Sequence, residues 1–165
     1  MNKKKIILYI VFASIVAVVL VADLVSKHFT TTYEVGTNII PYLVNFKSTQ
    51  NTGAAWSLFA GGTTALIVVS FIAIILILVY LIFSKQNSYL FFVSIALIFS
   101  GALGNLIDRL AFGYVRDFIQ FDFWKTFPIF NVADIALTVG VVCLCIYFLI
   151  GVIKDYKNKK KNNGN

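Results

Sequence analysis

Residues 64–83 read TALIVVSFIAIILILVYLIF, and after the connection SKQNS the chain resumes at residues 89–107 with YLFFVSIALIFSGALGNLI. Neither run holds a charged side chain, and the one cation between them is Lys85. A bilayer's hydrocarbon core is about 30 Å thick, so a helix rising about 1.5 Å per residue needs about 20 apolar residues to cross it. The two runs therefore predict a helical hairpin that spans a membrane twice. Working outward, residues 6–24 and 132–153 are two more windows of the same kind, which makes four predicted spans.

Composition agrees with the spans. Of the 165 residues 59% are hydrophobic and 13% charged, with a mean hydropathy of +0.87, against about 45–50% apolar and about 25% charged in soluble domains. A single water-soluble core is excluded. With only 2 prolines and 10 glycines, so are collagen-like and disordered chains. The expectation is one integral membrane domain over residues 1–165, mainly α, with a tail at about 154–165.

The formal charge is +7, from 14 basic and 7 acidic residues. Nine of the basic residues, Lys3, Lys4, Lys5, Lys85, Lys154, Lys157, Lys159, Lys160 and Lys161, flank the apolar windows on what an even number of spans makes a single side. Positive flanks mark the cytoplasmic side, so both termini are expected there. No soluble basic module is present, which argues against nucleic acid as a partner. The N-terminus has the basic start and apolar stretch of a secretory signal, but no small-residue cleavage site precedes Asp23 and Lys27, so a retained first span is expected. Cys143 and Cys145, two residues apart inside the fourth window, are expected to be packing residues.

Two segments lie outside the membrane, at about 26–63 and 108–131. In the first, β-branched and aromatic runs at 29–35 and 42–46, separated by Gly36, Asn38 and Pro41, predict short strands and a small extracytoplasmic β-rich segment. The second, rich in Phe, is expected to form an interfacial loop or helix. Trp56 and Trp124, the only tryptophans, suit aromatic anchors at a membrane surface.

The polar residues converge on this topology. Asp23 ends the first span, Asn105, Asp108 and Arg109 end the third, Asp134 begins the fourth, and Asp117 lies between the last two. All sit at the external level, and ionisable groups beside lipid are costly unless paired or wetted, which marks a functional candidate. A Ser-His-Asp site would rest on the sole histidine, His28, and both thiols lie inside a span. One histidine cannot supply a usual zinc set. Ser26 and Lys27 are neighbours on a helix and point about 100° apart, which disfavours a Ser-Lys dyad. Paired carboxylates remain: two aspartates held close cannot both ionise cheaply, so one keeps a proton while the other activates water. Asp117 and Asp134 are 17 residues apart, a spacing that permits such a dyad if the loop folds back. Four spans with few charges also suit a proton-coupled transporter with Asp23 and Asp134 as relays, although a carrier places its charge near the midplane.

Four blocks carry a family resemblance: DLVSK at residues 23–27, NTGAAWS at 51–57, GALGNLIDR at 101–109, and VRDF at 115–118 followed by FNVAD at 130–134. In this order on four spans they resemble the bacterial lipoprotein signal peptidases, integral-membrane aspartic peptidases also called signal peptidase II. The resemblance implies that Asp117 and Asp134 are the catalytic dyad. It places Asp23, Lys27, Asn51, Gly53, Gly101, Asn105, Arg109, Asn131 and Ala133 on positions that support the site or the substrate. It further implies a bacterial inner-membrane enzyme acting as a monomer, with lipid-modified prolipoproteins as substrates and membrane lipids around it, a site near the extracytoplasmic face, and no need of a metal or organic cofactor. Two residues depart from the family pattern: Arg116, where an apolar residue is expected, and Ile135, where a small hydroxyl residue is common. In an extended segment neighbouring side chains point apart, so the Arg116 cation need not face Asp117.

Overall fold

A computed structural model describes residues 3–30, 37–53 and 62–162. Four helices, α1 (Lys3–Thr30), α2 (Thr63–Phe83), α3 (Tyr89–Phe112) and α4 (Val132–Asn162), are each long and apolar enough to cross a membrane. Each contains one of the windows expected from sequence. A three-stranded antiparallel sheet of order β1-β2-β3 joins them, built from β1 (Thr37–Ile40), β2 (Val44–Asn51) and β3 (Val115–Phe121).

α3 is the buried helix, and α1, α2 and α4 pack around it. It starts at Ser88, whose hydroxyl accepts from Phe91 N, and stops at Gly113, whose φ of 79° lies in the left-handed region that residues with a Cβ avoid. The other three helices expose runs of Val, Ile, Leu and Phe, such as Val68, Val69 and Leu76 on α2 and Leu149, Ile150 and Val152 on α4. Such surface is unfavourable in water and matches lipid. Leu8, Leu81, Phe91, Phe92 and Ile95 form the core at one end of the bundle. There Tyr9 Oη donates to Leu81 O at 2.6 Å, Lys5 Nζ to Ser84 O at 2.7 Å and Tyr147 Oη to Gln86 Oε1 at 3.0 Å. The start of α1, the α2–α3 connection and the later part of α4 thus share an end, and with them the nine lysines.

The sheet lies at the opposite end, where β3 packs on α1 and α3. β1 and β2 are joined by a turn closed by Leu43 N donating to Ile40 O at 3.0 Å. Pro41 presets one turn φ, and Tyr42 takes a φ of 63°.

Three local expectations change. Phe29 and Thr30 close α1 rather than opening a strand: Lys27 and Thr30 are buried on that last turn, so tertiary contacts override β-propensity. The rest of that expected strand, residues 31–35, lies outside the described residues, as does Trp56. The 108–131 segment contributes the last turn of α3, then β3, and only beyond it a loop. β3 forms because β2 offers it an antiparallel partner over six aligned positions. On α4 Cys143 is half-buried and Cys145 exposed, so Cys145 is not the packing residue expected.

Candidate active site

Sheet register places the first carboxylate. In the β2–β3 pairing Thr49 is opposite Asp117 and Asn51 opposite Val115, so Asn51 and Asp117 are diagonal neighbours on one face. Asn51 Nδ2 donates to Asp117 Oδ2 at 2.8 Å. The amide is held in turn: its Oδ1 accepts from Gly53 N at 2.9 Å, and Gly53 O accepts from Arg109 Nη2 at 2.8 Å.

The second carboxylate arrives because the chain after β3 turns back on itself. Ile119 and Phe130 form an antiparallel bridge, with Ile119 N donating to Phe130 O at 2.8 Å and Phe130 N to Ile119 O at 3.1 Å. Asn131 is thereby delivered beside Asp117 at the start of α4. Its Oδ1 accepts from Asp134 N at 2.9 Å, while Asp134 Oδ2 accepts from Asn131 N at 3.1 Å. This is a reciprocal capping box with aspartate in the usual glutamate position. Asn131 Nδ2 remains free to donate to Asp117 Oδ1 at 2.7 Å and to Asn105 Oδ1 at 3.1 Å. Asn105 Nδ2 donates to Asp134 Oδ1 at 2.7 Å. Two asparagines therefore link Asp117 and Asp134.

Both carboxylates line a cavity of about 640 Å³ with Asn51, Asn105 and Arg109 among its polar walls. Its remaining walls are mostly apolar, including Phe127 and Phe130 of the loop and Leu137 and Val139 of α4. Asp117 is 2% exposed and Asp134 half-buried. Burial pushes the Asp117 carboxyl up to about 7; the negative charge of Asp134 adds to this, and the hydrogen bonds from Asn51 and Asn131 oppose it. A carboxyl that still holds a proton near neutral pH can donate to a carbonyl oxygen, while its partner accepts a proton from water.

Beside this pair lies a buried ionic cluster. Lys27 Nζ meets Asp23 Oδ2 at 2.8 Å and Asp108 Oδ2 at 3.3 Å, all three side chains being inaccessible to solvent, and donates to Asn105 Oδ1 at 3.2 Å. Asp23 Oδ1 accepts from Ala133 N at 2.9 Å, which ties α1 to the first turn of α4. Asp108 also takes Arg116, with Nη2 to Oδ1 at 2.7 Å and Nε to Oδ2 at 3.3 Å. Burying one partner of such a pair alone is strongly unfavourable, so the cluster holds together as a unit. The helices reach this distance because Gly101 and Gly104 have no side chain. A Cβ on Gly101 would collide with the Ala133 carbonyl, and one on Gly104 would lie 2.6 Å from Asp23 Oδ2.

The chain as a whole has known relatives. The Signal peptidase (SPase) II family matches residues 15–150. This chain belongs to the signal peptidase II family. The lipoprotein signal peptidase of Lactobacillus gasseri is 39% identical over 158 residues, covering 94% of this chain and all of the relative. That of Staphylococcus aureus (strain JH9) is 38% identical over 167 residues, covering 98% of each. A bacterial membrane enzyme solved by the in meso method at 2.3 Å resolution superposes with a TM-score of 0.79 at 36% identity, over 90% of this chain and 91% of that one. The chain is thus a multi-pass membrane peptidase, and the transporter alternative is not favoured.

In this member of the family every residue named from sequence lies in the one region. Asp117, Asp134, Asn51, Asn105 and Arg109 line the cavity. Gly53 and Asn131 orient them, and Asp23, Lys27, Gly101 and Ala133 form the adjoining helix contact. Ser26 does not pair with Lys27; its hydroxyl returns to Asp23 O at 2.9 Å. Sequence reasoning counts Asp108 in the polar cluster but gives it no role there, and notes Arg116 only as a departure from the family pattern; the structure pairs the two. The signal for both was present: an aspartate beside Arg109 at a span end, and a cation where an apolar residue is usual.

Proposed function

We propose that the protein removes the signal peptide from diacylglyceryl-modified bacterial prolipoproteins, with Asp117 and Asp134 as an aspartic dyad that cleaves the bond on the amino side of the lipidated cysteine. Membership of the signal peptidase II family supports the substrate class. The observation that carries the chemistry is the pair of carboxylates, linked through Asn131 and Asn105, in one largely apolar cavity.

The reaction follows from the two environments. Asp134 accepts a proton from water as the water oxygen bonds to the scissile carbonyl carbon, and Asp117 gives its proton to the carbonyl oxygen, forming a neutral gem-diol. Asp134 then passes its proton to the leaving nitrogen. The carbon–nitrogen bond breaks, the carbonyl reforms, and Asp117 recovers a proton from the diol hydroxyl. Asn51, Asn105 and Asn131 hold the carboxylates in register throughout, and such preorganised donors require no rearrangement during reaction. The ionic cluster of Asp23 and Lys27, with Gly101 and Ala133, keeps the helices close enough for this geometry, and Arg109 and Gly53 orient Asn51.

The enzyme is read as a monomer of the bacterial inner membrane with both termini cytoplasmic. The lysine-rich end of the bundle supports this orientation, and the dyad at the opposite end then faces the extracytoplasmic side. Acyl chains of the substrate would stay beside the apolar cavity wall while the peptide bond reaches the dyad. The test is cleavage by the purified protein in detergent of one prolipoprotein with and without its diacylglyceryl group. The lipidated form should be cut and the unlipidated form left intact; equal cleavage of the two contradicts the substrate assignment.

A further inference from the structure

Arg116 stands next to the proposed dyad residue Asp117, yet its charge is turned away from the cavity. β3 is extended, so consecutive side chains leave opposite faces. Asp117 points to Asn51 and Asn131. Arg116 instead reaches Asp108 at the end of α3 through three hydrogen bonds, its Nη2 at 2.7 Å, its Nε at 3.3 Å and its backbone N at 3.0 Å. The guanidinium also lies over the Phe112 ring, 4.4 Å from its centroid. Asp108 is inaccessible to solvent, and the Arg116 side chain is 15% exposed. Asp23 and Asp108 face Lys27 and Arg116, so the cluster carries two charges of each sign.

We infer that Arg116 is a positioning residue for the cleavage reaction: its fork on Asp108 clamps the start of β3 to the end of α3 and so fixes where the Asp117 carboxylate sits beneath Asn51 and Asn131. Only Gly113 and Tyr114 separate α3 from β3, and glycine at φ 79° gives that link little stiffness of its own. The clamp supplies it. Two nitrogens of a planar guanidinium and one backbone N–H on a single carboxylate fix both direction and distance, which an ammonium cannot do. Because the next residue along the strand is Asp117, a shift of the strand start is passed directly to the reacting group. The inference rests on the dyad reading above.

The experiment compares steady-state cleavage of a lipidated prolipopeptide by the parent enzyme and by Arg116→Met, Arg116→Lys and the double variant Asp108→Asn with Arg116→Met, with thermal unfolding in detergent recorded for each. Misplacement of a reacting group by about 1 Å costs up to about 100-fold, and a loosened strand start should lower kcat by roughly tenfold in Arg116→Met with KM changed by less than about twofold. Arg116→Lys keeps the cation without the fork and should stay low in kcat. The double variant should be no more than about twofold below Arg116→Met, since the clamp is already open in the single variant and the buried charge left on Lys27 still pairs with Asp23. A kcat within about twofold of the parent in Arg116→Met, full recovery in Arg116→Lys, or multiplicative losses in the double variant would each overturn the inference. If Arg116→Met does not fold, Arg116→Lys decides alone. Asp117→Asn serves as control: activity in that variant removes the dyad itself, whereas an inactive Asp117→Asn beside a fully active Arg116→Met removes only the clamp.

Discussion

Asn131 donates from its side chain to Asp117 Oδ1 at 2.7 Å while its backbone N donates to Asp134 Oδ2 at 3.1 Å. One residue thus holds a strand carboxylate and a helix carboxylate together, and it is also the N-cap of the helix that carries the second.

Asn131→Ala removes the cap, the donor to Asp117 and the donor to Asn105 at once. Loss of an N-cap asparagine costs about 0.5–2 kcal/mol, and the freed Asp117 carboxyl is buried at 2% exposure. A lowered unfolding temperature and a fall in kcat of roughly 100-fold are expected. Cleavage and thermal unfolding in detergent measure both, and a variant with unchanged kcat would mean that the asparagine link is not what aligns the pair.

The pH dependence follows from Asp117, pushed up to about 7 by burial and by the charge of Asp134. The unfolded carboxyl titrates near 3.9, so the folded protein holds the extra proton between these values. The stability tied to this group is fully present below about pH 4 and is lost as pH rises through about 7. Asp117→Asn has no proton to lose there, so raising the pH from 5 to 8 should lower the unfolding temperature of the parent relative to the variant. In the free enzyme kcat/KM should fall along an alkaline limb near pH 7, which the pH–rate profile reads. An activity still rising between pH 7 and 9 would contradict a proton held on Asp117.

Gly104 and Gly113 separate crowding from backbone strain. Gly104→Ala would put a Cβ 2.6 Å from Asp23 Oδ2, against the ion pair with Lys27, whereas Gly113→Ala meets open space at φ 79°. Overpacking costs about 1–3 kcal/mol, and a left-handed residue with a Cβ about 1–2 kcal/mol. Both variants should be less stable, but only Gly104→Ala should also lose activity, because it alone displaces Asp23 from Ala133. Equal activity in the two would show that the helix contact has slack.

The four spans were legible in the sequence because a run of about 20 uncharged apolar residues admits few other structures. The meeting of the polar residues was legible too, since helix ends on one side must share a level. What sequence could not supply was the closure that joins Asp117 to Asp134. It depends on the Ile119–Phe130 bridge and on β2–β3 register, both of which are long-range pairings that local propensity does not encode. Phe29 and Thr30 misled for the same reason, because the burial of Lys27 between Asp23 and Asp108 extends α1 through residues that favour strands. Arg116 was visible as an oddity, but its partner Asp108 became evident only once β3 was set against α3.

The central claim is that Asp117 and Asp134 act together on the peptide bond. The most direct measurement is cleavage of a lipidated prolipoprotein by Asp117→Asn and by Asp134→Asn, each shown to be folded by its unfolding transition in detergent. Both variants should be folded and without detectable turnover. Parent-like cleavage by either would contradict the dyad.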